Sequence, residues 1–145
     1  MAIDSELTAP ATPVLLVPQG AEYQAACRGT GQALPPTAIA MGQAAVAQVD
    51  ALLGSPPKRA ILLGLGGSLS PGLEPGDVVV CEGCVDQASG QQLGCDRDLC
   101  ADLCQVLNAA PSGNRPLRVT AATGLTSDGV VCAAAEKRRL GERYG

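Results

Sequence analysis

Apolar residues in this chain fall into short dense runs separated by polar, glycine-rich or proline-rich stretches. Five of these runs, at 14–17, 37–41, 60–63, 78–80 and 117–122, are rich in Val, Ile and Leu or close on Gly or Pro, the pattern of buried strands. Helical spacing lies between them. A short helical pattern runs from Ala21 through Cys27 and stops near Gly29 and Gly31. A longer one starts at Gly42, places Ala45, Val46, Val49, Leu52 and Leu53 on one face, and stops at Gly54-Ser55-Pro56-Pro57. A third carries Leu99, Leu103, Val106 and Leu107, with Asp96 placed to cap it and Pro111 to Asn114 to close it. Ala133 to Tyr144 is a good helix former. Residues 81–98 are polar and turn-rich and read as a surface loop, and residues 1–12 as a loose lead-in. Strands alternating with helices predict an α/β protein, a sheet covered by helices in three layers.

Composition narrows this picture. At 145 residues a single domain with a real core is expected, and with 46% hydrophobic but only 1% aromatic residues that core is aliphatic. The formal charge is -4 and the 10 Lys and Arg are scattered, which argues against a nucleic-acid partner. The chain has no histidine, so Ser-His-Asp and Cys-His catalysis and imidazole zinc sites are excluded. The acidic start and the lack of a long apolar run predict a soluble, cytoplasmic protein without a membrane span. Seven cysteines are many for this length. Cys81-x-x-Cys84 could open a metal site, but a second paired Cys-x-x-Cys is lacking, so reduced structural thiols and no metal are expected.

The candidate chemistry centres on the glycine loop Gly64-Leu65-Gly66-Gly67-Ser68-Leu69, which follows one strand and leads through Gly76-Asp77 into the next. Glycines let a backbone approach an anion and aim successive N–H groups at it. A dinucleotide fingerprint fails here, because Leu69 stands where glycine is needed and Pro71 and Pro75 break a following helix. A P-loop fails for want of a lysine in the stretch. A tight loop between buried strands and an anion or hydroxyl cradle at a strand end both remain open.

The register of these glycines with Pro71, Leu73 and Gly76-Asp77-Val78-Val79-Val80 resembles the central signature of the nucleoside phosphorylase and nucleosidase superfamily, and most of all its hopanoid-associated phosphorylase-like branch. The resemblance implies a phosphorylase-like three-layer α/β/α sandwich with a central mixed sheet. It also implies cleavage of the N-glycosidic bond of a purine-type nucleoside by water or phosphate, with no cofactor beyond phosphate as a co-substrate. A small-molecule nucleoside is the partner it implies, and self-association is left open.

Site residues follow from the same resemblance. Glu22 is the nearest match to the acidic residue that opens the family's first helix and serves the site; it is equally a first-turn glutamate that favours the helix dipole. Gly42 matches the glycine-started helix near phosphate or ribose, and is otherwise an ordinary strand-to-helix turn. Gly64, Gly66, Gly67 and Ser68 would hold phosphate or ribose oxygens, so a valine at Gly66 or Gly67 is expected to obstruct the ligand. Asp128 matches the family's aspartate after the last strand, and Val130 and Val131 match its nucleobase-lining positions; a turn with a buried edge is the other reading.

The pattern also departs from the family. Gly145 is reached where a Met-Glu segment that grips the ribose would follow, and the downstream base-protonating aspartate is not matched. Leu65 replaces a serine common in nucleosidases, and Arg28 is the only arginine near a matched segment to serve phosphate. The chain is therefore expected to be a C-terminally incomplete domain, weak or inactive by itself. The rival expectation is a non-catalytic or remnant domain of the same fold.

Overall fold

In the computed structural model, residues 12–30, 34–42, 44–54, 59–110 and 116–144 are described. The chain divides into two compact units, Met1–Gly66 and Gly67–Gly145. Both mix strands and helices, so the α/β class is observed, with the strands hydrogen-bonded as two three-stranded sheets.

The first unit contains β1 (Val14–Pro18), α1 (Ala21–Thr30), β2 (Thr37–Ile39), α2 (Ala44–Leu53) and β3 (Ala60–Leu62). All three strands are parallel, in the order β2-β1-β3. β1 is the central strand, which is why it reads as a continuous apolar run: Leu15, Leu16 and Val17 are buried. Leu15 and Val17 share a cluster with Ala26 of α1, and Tyr23, Leu34 and Ile61 pack around it. Two glycines are conformationally required at helix borders. Gly20, at φ +128°, turns the chain out of β1 into α1, and Gly54, at φ +67°, ends α2 by donating its N–H to Asp50 O at 3.2 Å. The predicted apolar face of α2 buries no residue; Val46 is 61% exposed.

The second unit contains β4 (Val78–Asp86), β5 (Gln92–Gly94), α3 (Arg97–Ala109), β6 (Val119–Thr126) and α4 (Ala134–Tyr144). β4 is central, antiparallel to β5 and parallel to β6. Much of the segment expected to be a surface loop is therefore sheet. β4 continues six residues past Val80, turns at residues 87–91 and returns as β5. The apolar pattern hid this because the extension, CEGCVD, is short of aliphatic residues and carries a bulge between Cys81 and Gly83 that breaks strict alternation. Likewise β6 runs past the apolar run at 117–122, through Gly124 to Thr126.

Asp96 caps α3 as predicted, its carboxylate accepting from Leu99 N at 3.0 Å. The buried stripe of α3 centres on Cys100, whereas Val106 is 67% exposed. The Gly76-Asp77 pair before β4 is structural: Glu74 N donates to Asp77 Oδ2 at 2.9 Å, and Arg118 lies 3.8 Å from the same carboxylate, which is 2% exposed. Arg118 also donates to Gly72 O, tying the glycine-rich stretch to the start of β6.

Candidate functional site

In the first unit the order β2-β1-β3 sends the chain from β1 to one side and brings it back to the other. Such a reversal opens a crevice beyond the carboxyl ends of the two adjacent strands, where open α/β sheets commonly bind ligands. The carboxyl end of β1 leads through Gln19 and Gly20 into α1, and the carboxyl end of β3 leads into Gly64. Leu63 N still donates to Leu16 O at 2.9 Å, so the two chains separate only beyond that point.

Glu22, in the first turn of α1, reaches across this gap. Its Oε1 accepts from Leu65 N at 2.7 Å, joining positions 43 residues apart in sequence. A Cβ on Gly64 would stand 3.5 Å from this carboxylate oxygen and from the Pro18 ring, ordinary contact distance, so Gly64 lies directly against both. The sequence thus placed an acid and a glycine loop as separate candidates, and the parallel pairing of β1 with β3 brings them together. Gly42 has φ +65° and precedes α2, with open space where a Cβ would stand. Its geometry is that of a left-handed turn, and its carbonyl accepts from Ala45 N at 3.0 Å.

Beyond Gly66 the loop belongs to the second unit. Gly66 and Gly67 lack positive φ, so their backbone does not itself demand glycine. Ser68 uses its hydroxyl internally, donating to Ser70 O at 2.8 Å and accepting from Ser70 N at 3.0 Å. The Ser68 hydroxyl proton is thus engaged within the loop itself. Among the described residues, the amides of Gly67 and Ser68 have no protein acceptor.

Asp128, Val130 and Val131 share an open hollow of about 460 Å³ after β6, together with Ser127, Gln87 and Glu136 of α4. Val130 is 90% exposed, so this is a rim rather than a closed pocket. Sequence reasoning missed Glu136 and Gln87, whose only signal was their polarity.

The cysteines gather in the second unit. The bulge in β4 brings Cys81 and Cys84 toward the same side, with their sulfurs 3.3 and 3.4 Å from the point where a side chain on Gly124 would begin. Cys100 Sγ donates to Cys81 O at 3.4 Å. Burial, then the neighbouring Cys95 and Cys100, push the Cys81 thiol up; burial, then Cys81, push the Cys84 thiol up. Cys95 and Cys100 are raised in the same way, by burial first. Such thiols are poor nucleophiles at neutral pH. Among the described residues no group of three or more Cys, Asp or Glu is arranged to hold a metal ion, and no helix is long and apolar enough to cross a membrane.

No family model, curated protein or solved structure matches the chain.

Proposed function

We propose that the chain is a nucleoside phosphorylase- or nucleosidase-like protein that acts on the N-glycosidic bond of a purine-type nucleoside, on the corresponding three-layer α/β/α fold. One observation carries this reading: the Glu22 carboxylate sits on the Leu65 amide at the carboxyl ends of β1 and β3. That is an acid held beside a backbone cradle at a strand-order reversal, a place suited to a small polar ligand.

Separating base from sugar passes through an oxocarbenium-like state and needs a positioned nucleophile and help for the leaving base. In this reading Glu22 orients the nucleophile, with its second carboxylate oxygen available while Oε1 holds the loop. Gly42 and the amides of Gly64, Leu65 and Gly66 serve phosphate or ribose oxygens. The reading carries with it a small-molecule nucleoside partner and a cytoplasmic setting.

A second reading, a binding module of the same fold without catalysis, is favoured by the absence of histidine and by the internal use of the Ser68 hydroxyl. Base release from methylthioadenosine, adenosine, inosine and uridine, with and without phosphate, separates the two. Cleavage that falls about a hundredfold or more in Glu22→Gln supports catalysis, the scale expected for a positioned acid or base. Nucleoside binding without release supports the module, and neither binding nor release refutes both.

A further inference from the structure

β4, the residue that follows β5, and α3 bring Cys81, Cys84, Cys95 and Cys100 together, all within the second unit. Cys84 stands opposite Leu93 of β5 on one side and Gly124 of β6 on the other. Side chains two apart on a strand share a face, so Cys95, two residues beyond Leu93, returns to the face of Cys84. The Cys95 N–H donates to Glu82 O at 2.9 Å, which keeps the residue against β4 although β5 ends at Gly94. On the other side Gly124 leaves room for sulfur. A Cβ there would stand 3.3 Å from Cys81 Sγ and 3.4 Å from Cys84 Sγ.

Within this group one pair of thiols meets directly. Cys84 and Cys95 share a side-chain hydrogen bond, whereas Cys81 feels Cys95 only through charge. Cys100 is buried, with its thiol turned to the Cys81 carbonyl at 3.4 Å. Cys95 is exposed and Cys84 partly buried, so a small reagent reaches one member of the pair and finds the other behind it.

We propose that Cys84 and Cys95 are a reversible oxidation site, joined in a disulfide by a small-molecule disulfide and parted again by excess thiol. The bond cross-links β4 to β5 and closes the turn between them. That turn carries Gln87 and Ala88, which line the hollow shared with Asp128, so the oxidation state fixes one wall of that hollow. The site does not rest on the enzymatic reading.

In the first step the Cys95 thiolate attacks one sulfur of the small disulfide, forming a mixed disulfide and releasing one thiolate. In the second, the Cys84 thiolate attacks the Cys95 sulfur, forms the new S–S bond and releases the other thiolate. The protons lost by the two cysteines pass to the two released thiolates. The chain is thereby oxidised by two electrons and the reagent reduced by two. Burial keeps both thiols protonated at neutral pH, and because the thiolate is the attacking form, the reaction is slow there and quickens as pH rises.

The test takes the full chain, reduced and then equilibrated without oxygen in mixtures of reduced and oxidised glutathione, quenched with acid and alkylated. Cleavage after Glu82, Asp86 and Asp96 leaves Cys81, Cys84 and Cys95 on separate peptides. Mass spectrometry should find residues 83–86 joined to residues 87–96, and excess dithiothreitol should part them. The rate should rise about tenfold per pH unit below the thiol range. Cys84→Ser should leave glutathione attached at Cys95, while Cys27→Ser, in the first unit, should oxidise as the parent does. Circular dichroism establishes that each variant is folded. Hydrogen exchange of the Cys95 amide should slow about tenfold in the oxidised chain, because the cross-link restrains opening of the hairpin.

A chain whose thiols all remain open to alkylation in every glutathione mixture overturns the site. So does a bond that pairs Cys84 or Cys95 with Cys81 or Cys100 in equal or greater amount. Linkage that forms only in urea overturns it as well, since it then owes nothing to the fold. Unchanged exchange of the Cys95 amide in the linked chain overturns the fixing of the hairpin.

Discussion

At the scale of single residues, Glu22 carries a structural and a chemical duty at once, and different substitutions separate them. Glu22→Gln keeps a carbonyl oxygen that can accept from Leu65 N, whereas Glu22→Ala leaves that amide to water. We expect Glu22→Ala to lower stability by about 1 kcal/mol, the usual net worth of such a bond, and Glu22→Gln to lower it by less. Denaturant midpoints measure this, and equal losses would show that the carboxylate does not hold the loop. Asp86 offers a pH-dependent case at the turn between β4 and β5. The Ser89 hydroxyl, then the Ser89 and Ala88 amides, donate to its carboxylate and hold it below the ordinary carboxylate range. Because the folded value is depressed, the turn is stabilised above the ordinary range and loses that contribution as pH falls through the folded value. Amide shifts of residues 88 and 89 should follow this low transition, and Asp86→Asn should abolish it.

At the scale of elements, close backbone approach is the recurring device of the second unit, and it makes certain glycines obligatory for space rather than conformation. Gly141 lies mid-helix, where alanine would ordinarily be preferred by about 1 kcal/mol. Its added methyl, however, would meet the Leu69 carbonyl at 2.7 Å, and neither backbone can yield cheaply. We expect Gly141→Ala to destabilise by about 1–3 kcal/mol, the range for overpacking, and to displace α4 from the loop. A thermal shift upward would show that the approach is looser. Gly83 is similar: a Cβ there would stand 2.9 Å from Leu93 O, so the bulged strand can pair with β5 only without a side chain.

At the scale of the whole molecule, the buried core among the described residues is small and aliphatic. It comprises Leu15, Leu16, Val17, Ala26 and Ile39 in the first unit and Val80, Val85, Cys100 and Leu140 in the second. Apolar surface is exposed in the first unit, in a hollow of about 380 Å³ between α2 and its sheet, lined by Leu16, Ile39, Val46, Val49 and Leu62 among others. A fluorescent hydrophobic dye should bind the folded chain there. Val49→Asp should reduce that signal without loss of helix, since α2 buries no residue. An unchanged signal would place the dye elsewhere. The positions of β1, β2, β3, α1 and α2 were legible in the sequence because each is a dense apolar run or a 3.6-residue pattern ended by Gly or Pro, and local chemistry suffices for that. The extension of β4, the strand β5 and the end of β6 were not, because their residues are held by cross-strand pairing rather than by alternation. The same limit governed the candidate site. Gly64 to Ser68, Glu22 and Asp128 stand out in the chain as residue types, but the contact between Glu22 and Leu65 depends on β1 pairing with β3. The sequence determined which groups could do chemistry, since residue type fixes donors, acceptors and charge. Which of them meet was decided only by long-range packing.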